Sequence, residues 1–170
     1  IEGFSSISEK LAPKELATML NEYFTETSAV ISRYGGVITQ FEGDAMLITF
    51  NAVTPDPDHA LNAVRTALTI QEISQRRIYS FGDKLKTRCG LNTGEIVIGN
   101  IASRLETLNK EFGTYILATE DTVAACGNHD DIPQWTSRKD VTVRGREQPT
   151  RIFSITPTKT TLPRTGSAAQ

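Results

Sequence analysis

The sequence of 170 residues is poor in the residue types that mark several classes of protein. It has two cysteines, one tryptophan and two histidines. Cys89 and Cys126 are too few for a disulfide framework and lack the spacing of a metal-binding pair. We interpret both as reduced thiols and therefore expect a cytoplasmic domain, although the parent protein could be attached to a membrane.

Long apolar runs and an excess of one charge are also missing. No run is long enough to span a bilayer, and no signal-peptide pattern opens the chain. The 18 Lys and Arg residues nearly balance the 20 Asp and Glu residues, which gives a net charge of -2. This balance argues against nucleic acid as a partner. The apolar fraction of 38% is still enough for a sizeable core, so a wholly disordered chain is excluded.

The pattern of apolar and turn residues predicts helices that alternate with hairpins. A helix should follow Pro13, because an apolar stripe at helical spacing begins there and continues to the glycines at 35–36. The strand-like runs 37–41 and 45–50 are separated by only three residues, so they should pair with Asp44 at the tip. Further along, the pattern predicts a helix capped by Asp56, strands at 85–91 and 95–99, a short helix at 101–113, a strand at 115–118, a short helix at 119–126 and a closing strand pair at 134–143 and 150–155.

This order of elements predicts an α+β fold with helices packed on one face of a mainly antiparallel sheet. One domain should cover residues 1–155. Residues 156–170 are dominated by Thr, Pro, Ser and Ala, and we expect them to form a disordered tail. The chain starts abruptly at Ile1, which suggests a piece of a longer protein that also carries a regulatory domain.

Short motifs occur in an order that is more specific than any one of them. They are Ile-Glu-Gly-Phe-Ser at 1–5, Phe-Glu-Gly-Asp-Ala-Met at 41–46, Gly-Leu-Asn-Thr-Gly-Glu at 90–95, Asn-Ile-Ala-Ser-Arg at 100–104 and Val-Arg-Gly at 143–145. Together they closely resemble the catalytic domain of the class III nucleotidyl cyclases, the adenylyl and guanylyl cyclases. The resemblance covers nearly the whole of residues 1–155. It implies a ferredoxin-like βαββαβ core and the conversion of ATP to 3′,5′-cyclic AMP and pyrophosphate.

The resemblance also implies two divalent metal ions, Mg²⁺ or Mn²⁺, which suit a few carboxylates combined with phosphate oxygens. Asp44 matches the second metal-binding aspartate, and Ile1 matches the residue that lends a backbone carbonyl to one metal. The first aspartate would precede Ile1, so either the sequence starts one residue too late or the domain is defective. Gly3, Phe4 and Ser5 match the turn whose backbone amides hold the triphosphate.

The same resemblance implies roles for four further polar residues. Gln40 stands where the family reads the purine, usually with Lys in adenylyl and Glu in guanylyl cyclases. Its amide has donors and an acceptor and could face either purine. Arg104 matches the arginine that stabilises the transition-state phosphate, and Asn100, one helical turn earlier, matches the asparagine that orients the ribose. Arg144 matches a basic residue, usually Lys, that grips the terminal phosphates.

The sequence departs from the family between Gly99 and Asn100, where relatives have a longer stretch that carries the second purine-reading residue. Either a loop is missing from the sequence or the protein has a deletion. We favour a missing loop, because it would also explain the abrupt start. The chain carries residues of both half-sites of the family, so the resemblance implies a head-to-tail homodimer with two equivalent sites.

Adenylyl cyclase is the leading prediction, and three alternatives are weighed against it. Because Gln40 matches neither usual purine-reading residue, a guanylyl cyclase or a cyclase with relaxed purine choice is the first alternative. A catalytically inactive cyclase homology domain that serves regulation is a second alternative. A diguanylate cyclase is disfavoured, because the glycines at 35–36 precede a strand and are not followed by two acidic residues.

Overall fold

The structure is a computed structural model that describes residues 1–94, 103–141 and 149–156, without the side chains of residues 103–107. The predicted strand at 95–99, Asn100, Arg144 and residues 157–170 of the predicted tail lie outside the described residues. In chain order the elements are α1 (Phe4–Ser8), α2 (Pro13–Arg33), β1 (Val37–Glu42), β2 (Ala45–Thr49), α3 (His59–Arg76), β3 (Cys89–Leu91), α4 (Ser103–Phe112), β4 (Ile116–Thr119), α5 (Glu120–Cys126), β5 (Thr136–Val141) and β6 (Thr150–Ser154).

Helix α2 forms where the apolar stripe predicts it. Pro13 occupies its first turn, and the side chain of Glu15 accepts a hydrogen bond from the N–H of Ala12 at 3.0 Å. That contact satisfies one donor at the helix start. The helix is followed by Gly35, whose φ of 75° lies in the left-handed region that glycine adopts readily. One face of α2 is buried in the core, through Met19, Tyr23, Thr27, Val30 and Ile31.

The described strands form two sheets. The hairpin of β1 and β2 is a two-stranded antiparallel sheet, and the other four strands follow the order β3-β4-β6-β5. Within the larger sheet β3 and β4 run parallel, whereas β4 with β6 and β6 with β5 are antiparallel. The predicted α+β fold with a mainly antiparallel sheet is therefore confirmed.

The helices cover both faces of the larger sheet, so the prediction of a single covered face was wrong. Successive residues of a strand point to opposite faces. On β4, Leu117 packs in a cluster with Leu108 of α4, whereas Ile116 packs in another cluster with Ala67 of α3. All four residues of β4 are buried, so this strand has no solvent-facing side.

Two predicted elements are shorter in the structure than the sequence indicates. Helix α3 ends at Arg76 instead of fading near Gly82, and β3 covers only Cys89–Leu91 instead of 85–91. The residues before β3 bond to other parts of the chain. The carbonyl of Lys86 accepts the N–H of Glu2 at 2.8 Å, and the carbonyl of Thr87 accepts the side-chain amide of Gln71 at 2.8 Å.

The predicted cap of α3 also differs in detail, because the helix begins at His59 rather than next to Asp56. The Asp56 carboxylate still accepts hydrogen bonds from the N–H of Asp58 and from the side chain of Asn62, each at 2.9 Å. It therefore stabilises the turn that leads into the helix.

Both thiols are free, as the sequence predicts. Burial raises the pKa of the Cys89 thiol to about 11 and also raises the pKa of Cys126. In the part of the chain that the structure describes, none of the helices is long and apolar enough to cross a membrane.

Candidate active site

Asp44 lies in the tight turn of the first hairpin. Glu42 at the end of β1 pairs with Ala45 at the start of β2, so only Gly43 and Asp44 form the loop. Gly43 has a φ of 60°, as the first loop residue of a type II′ turn requires, and this turn matches the twist of the strands it joins. The turn therefore sets the direction in which the Asp44 carboxylate leaves the hairpin.

The structure brings Ile1 and Asp44 together across 43 positions of the sequence. The N-terminal amine of Ile1 donates to Oδ2 of Asp44 at 2.5 Å, and the Asp44 side chain is 22% exposed. The two residues that the sequence assigns to metal binding are neighbours in space.

Hydrophobic packing holds both partners of this contact. Ile1, Phe4 and Ile7 pack against a core cluster that contains Met19 and Tyr23 of α2. Met46 of β2, two residues after Asp44, packs against the same cluster. The Ile1 segment and the hairpin are therefore positioned by one shared core.

Gly3, Phe4 and Ser5 lie at the start of a five-residue helix rather than in an irregular turn. Gly3 is the N-cap of α1, with a φ of 70°, and its carbonyl accepts the N–H of Ile7 at 3.1 Å. The first N–H groups of a helix have no acceptor within it. The amides assigned to triphosphate binding therefore belong to a helix start that directly follows Ile1.

Gln40 is exposed on β1, and the structure gives it a neighbour that sequence reasoning missed. Its Nε2 donates to Oε1 of Glu42 at 3.0 Å. Residues two apart on a strand share a face, which is the signal in the sequence that could have revealed this contact. A register shift between Ile38 and Gln40 interrupts the ladder just before this pair.

Phe41, between these two residues, lies on the opposite face of β1. Its ring meets that of Phe24 of α2 edge to face, with 5.0 Å between the centroids. Phe41 is nevertheless 54% exposed. The hairpin therefore rests on α2 through its aromatic face and presents Gln40 and Glu42 to solvent.

Helix α4 carries Arg104 near its start, although the Arg104 side chain is outside the described residues. The far end of this helix is fixed to the sheet by Asn109, which is fully buried. Its Nδ2 donates to the carbonyl of Cys89 at 3.0 Å, and its Oδ1 accepts the hydroxyl of Thr114 at 2.8 Å. Asn109 thus joins α4 to β3 and to the segment before β4.

A second contact missed by sequence reasoning lies directly beside Ile1. A guanidinium nitrogen of Arg88 lies 3.2 Å from Oε1 of Glu2, and the Arg88 side chain is only 11% exposed. The pair joins the segment between Ile1 and Gly3 to the residue that precedes β3. These partners are 86 positions apart, so no local spacing in the sequence pointed to them.

The oxygen donors at the chain start suit a hard divalent ion. They comprise the Asp44 carboxylate and the backbone carbonyl of Ile1, the ligand types that Mg²⁺ and Mn²⁺ prefer. Within residues 1–94, 103–141 and 149–156, no cluster of three or more His, Cys, Asp or Glu residues could hold a metal. Donors of this kind fit an ion that a bound polyphosphate also ligates.

None of the predicted site residues that the structure describes lines the open groove of about 420 Å³ on the outer face of α2. That groove is formed by Thr18, Asn21, Glu22, Thr25, Glu26 and Arg77. The hairpin that holds Asp44 is therefore not part of this groove. Glu42, Gly43 and Ala45 beside Asp44 are exposed.

Comparison with known proteins identifies the family. The family model described as "Adenylate and Guanylate cyclase catalytic domain" matches residues 1–109. The chain therefore belongs to the class III adenylyl and guanylyl cyclase catalytic domains. Adenylate cyclase 1 of Rhizobium meliloti is 32% identical over 91% of the chain. The chain spans 26% of that relative's length.

Solved structures agree with this assignment. The guanylyl cyclase Cya2 is 29% identical, with a TM-score of 0.67 over 91% of this chain and 87% of that one. The adenylyl cyclase CyaB from P. aeruginosa shares the fold, with 23% identity and a TM-score of 0.65 over 95% of this chain and 92% of that one. The ferredoxin-like core implied by the motifs is thus the fold of the structural neighbours.

The alignment with the Rhizobium protein also bears on the departure noted in the sequence. It extends over 180 positions, more than the 170 residues of this chain. The relative therefore contains residues that have no counterpart here.

Proposed function

We propose that this domain cyclises a purine nucleoside triphosphate, with ATP as the preferred substrate, to the 3′,5′-cyclic monophosphate and pyrophosphate. The observation that carries the proposal is the convergence of Ile1 with the hairpin that holds Asp44, since Ile1 and Met46 pack against one core cluster. In the reaction a bond forms between the ribose O3′ and the α-phosphorus. The bond from that phosphorus to the pyrophosphate oxygen breaks, and the 3′-hydroxyl loses its proton.

Asp44 and the carbonyl of Ile1 would hold divalent metal, as Mg²⁺ or Mn²⁺, at this point of the chain. Two such ions would neutralise the phosphate charge and make the 3′-hydroxyl more acidic. Asp44 suits this role because its carboxylate is only partly exposed and lies beside Ile1. Its rigid two-residue turn keeps the carboxylate in place.

Other residues would bind the parts of the nucleotide. The N–H groups of Gly3, Phe4 and Ser5, at a helix start, would donate hydrogen bonds to phosphate oxygens. Gln40 would contact the purine from the exposed face of β1. By their position in the motifs, Asn100 would orient the ribose, Arg104 would stabilise the charge that develops on the α-phosphate, and Arg144 would bind the terminal phosphates.

We propose a head-to-tail homodimer as the active form. Glu42, Gly43 and Ala45 beside Asp44 are exposed, and Phe41 of the same hairpin is 54% exposed. A second copy that supplies the Asn100 and Arg104 side of the site would cover such a surface and enclose the nucleotide. The domain limits of 1–155, the regulatory domain of a parent protein and a cytoplasmic location remain parts of this proposal.

A guanylyl or purine-relaxed cyclase is the second candidate, and the contact of Gln40 favours it. The Nε2 of Gln40 donates to Glu42, which leaves the amide oxygen free to accept a hydrogen bond from a base. Both purines carry donors, an amino group on adenine and N–H groups on guanine. The named relatives include both kinds of cyclase, Cya2 and the Rhizobium protein. An inactive homology domain is the third candidate.

The test measures cyclic AMP and cyclic GMP side by side, with Mg²⁺ and then Mn²⁺, on the longest encoded chain that contains this sequence. We expect cyclic AMP to dominate. Asp44→Asn should lower the rate by about 10²-fold or more. The matched control is Asp130→Asn, on the loop after α5, which should keep the wild-type rate.

The other outcomes would favour another candidate function or exclude the role of Asp44. Cyclic GMP, or both products in similar amounts, would favour the second candidate. A folded, dimeric protein that forms no product with either metal would be the inactive homology domain. Wild-type turnover by Asp44→Asn would exclude a metal-binding role for this carboxylate.

A further inference from the structure

The segment that carries Ile1 and the start of α1 is attached to the rest of the domain at Glu2. Its N–H donates to the carbonyl of Lys86 at 2.8 Å, and its carboxylate pairs with Arg88 at 3.2 Å. One backbone bond and one ion pair therefore hold the same residue. Glu2 lies between the two parts of the proposed site, with Ile1 on one side and the amides of Gly3–Ser5 on the other.

Arg88 is held in place by the contacts of its neighbours and by its own burial. It directly precedes Cys89, whose N–H donates to the carbonyl of Tyr115 at 2.6 Å beside the parallel pair of β3 and β4. Only 11% of its side chain is exposed, so its position is set by packing as well as by charge. Thr87, on its other side, accepts a hydrogen bond from Gln71 of α3 at 2.8 Å.

The pair is incompletely satisfied. Nε of Arg88 and Oε2 of Glu2 are both buried without a hydrogen-bond partner in the described part of the chain. Replacing such a pair with apolar residues is often neutral or even stabilising, so stability alone is a weak reason to keep it. A buried ion pair can instead favour one conformation of the segment that carries it.

We propose that Glu2 and Arg88 form a positioning pair that fixes the Ile1–Ser5 segment against β3 and thereby sets the affinity of the site for the metal–triphosphate complex. The inference rests on the proposed function for its effect on substrate. Its structural part, the fixing of the segment, stands independently. Neither residue contacts the reacting atoms, so both act through Ile1 and the amides of α1.

The test compares Arg88→Met with Arg77→Met. Arg77 forms an ion pair with Glu26 that has the same nitrogen–oxygen distance of 3.2 Å, but this pair joins the end of α3 to α2 and includes no residue of the Ile1 segment. We expect Arg88→Met to raise the KM for Mg²⁺–ATP about tenfold with kcat changed less than threefold, since one charged hydrogen bond suffices for such a change. Arg88→Lys should restore part of the affinity, and Arg77→Met should leave KM unchanged.

Hydrogen exchange separates this inference from the proposed function. In Arg88→Met, the amides of residues 2–8 should exchange faster, because the bond from Glu2 to Lys86 opens more often. Exchange in the middle of α2 should stay the same. Unchanged exchange in residues 2–8 would overturn the inference even if the wild-type protein were inactive. Faster exchange with an unchanged KM, or an equal KM effect from Arg77→Met, would overturn the link to affinity.

Discussion

Replacement of Asn109 with leucine tests the reasoning about how α4 is held on the sheet. Asn109 is fully buried and makes two side-chain hydrogen bonds, one to the carbonyl of Cys89 and one from the hydroxyl of Thr114. Leucine has a similar size but cannot form either bond. Each bond contributes about 1 kcal/mol net, and a buried polar group that loses its partner adds about 1–3 kcal/mol. We therefore expect the free energy of unfolding to fall by about 3–5 kcal/mol.

Thr114→Val provides the matched control, because it removes only one of the two bonds. It leaves Oδ1 of the fully buried Asn109 without its donor, so we expect a loss of about 2–4 kcal/mol, one hydrogen bond less than for Asn109→Leu. Urea unfolding followed by circular dichroism measures both variants, and an unchanged m-value shows that only stability has changed. A loss below 0.5 kcal/mol for Asn109→Leu, or equal losses in the two variants, would refute the reasoning.

Three further predictions concern purine choice, packing and pH. Glu42→Ala should release the amide of Gln40 and change the ATP-to-GTP ratio of kcat/KM by about threefold or more; an unchanged ratio would remove Glu42 from purine choice. Gly36→Ala should destabilise the fold by about 1–3 kcal/mol, because a Cβ there would lie 2.8 Å from atoms of Ile31 and Phe50; thermal unfolding checks this, and an unchanged Tm contradicts it. Burial raises the pKa of Tyr79 from 10.0 to about 12, so the folded state favours the neutral phenol. That stability is fully present below pH 10 and is lost as the pH rises to about 12. Between pH 9 and 11 in urea titrations, the free energy of unfolding of Tyr79→Phe should therefore fall less than that of the wild type. Equal falls would contradict the raised pKa of the Tyr79 phenol.

The parts of the fold that depend on local sequence could be predicted well. Helix α2 follows its apolar stripe, and the first hairpin follows from two β-rich runs joined at Gly43. Elements that depend on distant partners could not be placed as accurately. Strand β3 is short because Lys86 and Thr87 bond to Glu2 and Gln71, and no local pattern near residue 85 reports those partners.

The same distinction holds for the candidate site. The motifs were sufficient to pair Ile1 with Asp44 as metal-binding candidates, and the structure places these residues in contact. The roles of Glu2 and Arg88 required the three-dimensional arrangement, since a charged residue next to a motif usually indicates a solvated surface. Glu42 could have been recognised from strand alternation with Gln40 once β1 was predicted.

The first hairpin carries both the candidate purine reader, Gln40, and the candidate metal ligand, Asp44. A two-stranded hairpin is marginally stable alone, and this one depends on contacts such as that of Phe41 with Phe24 and on the packing of Met46 in the core of α2. Exchange of this hairpin between related domains would therefore transfer the candidate purine reader and the candidate metal ligand together. Engineering that aims to change only the nucleotide should keep Phe41, the Gly43–Asp44 turn and Met46 and vary only the exposed face of β1.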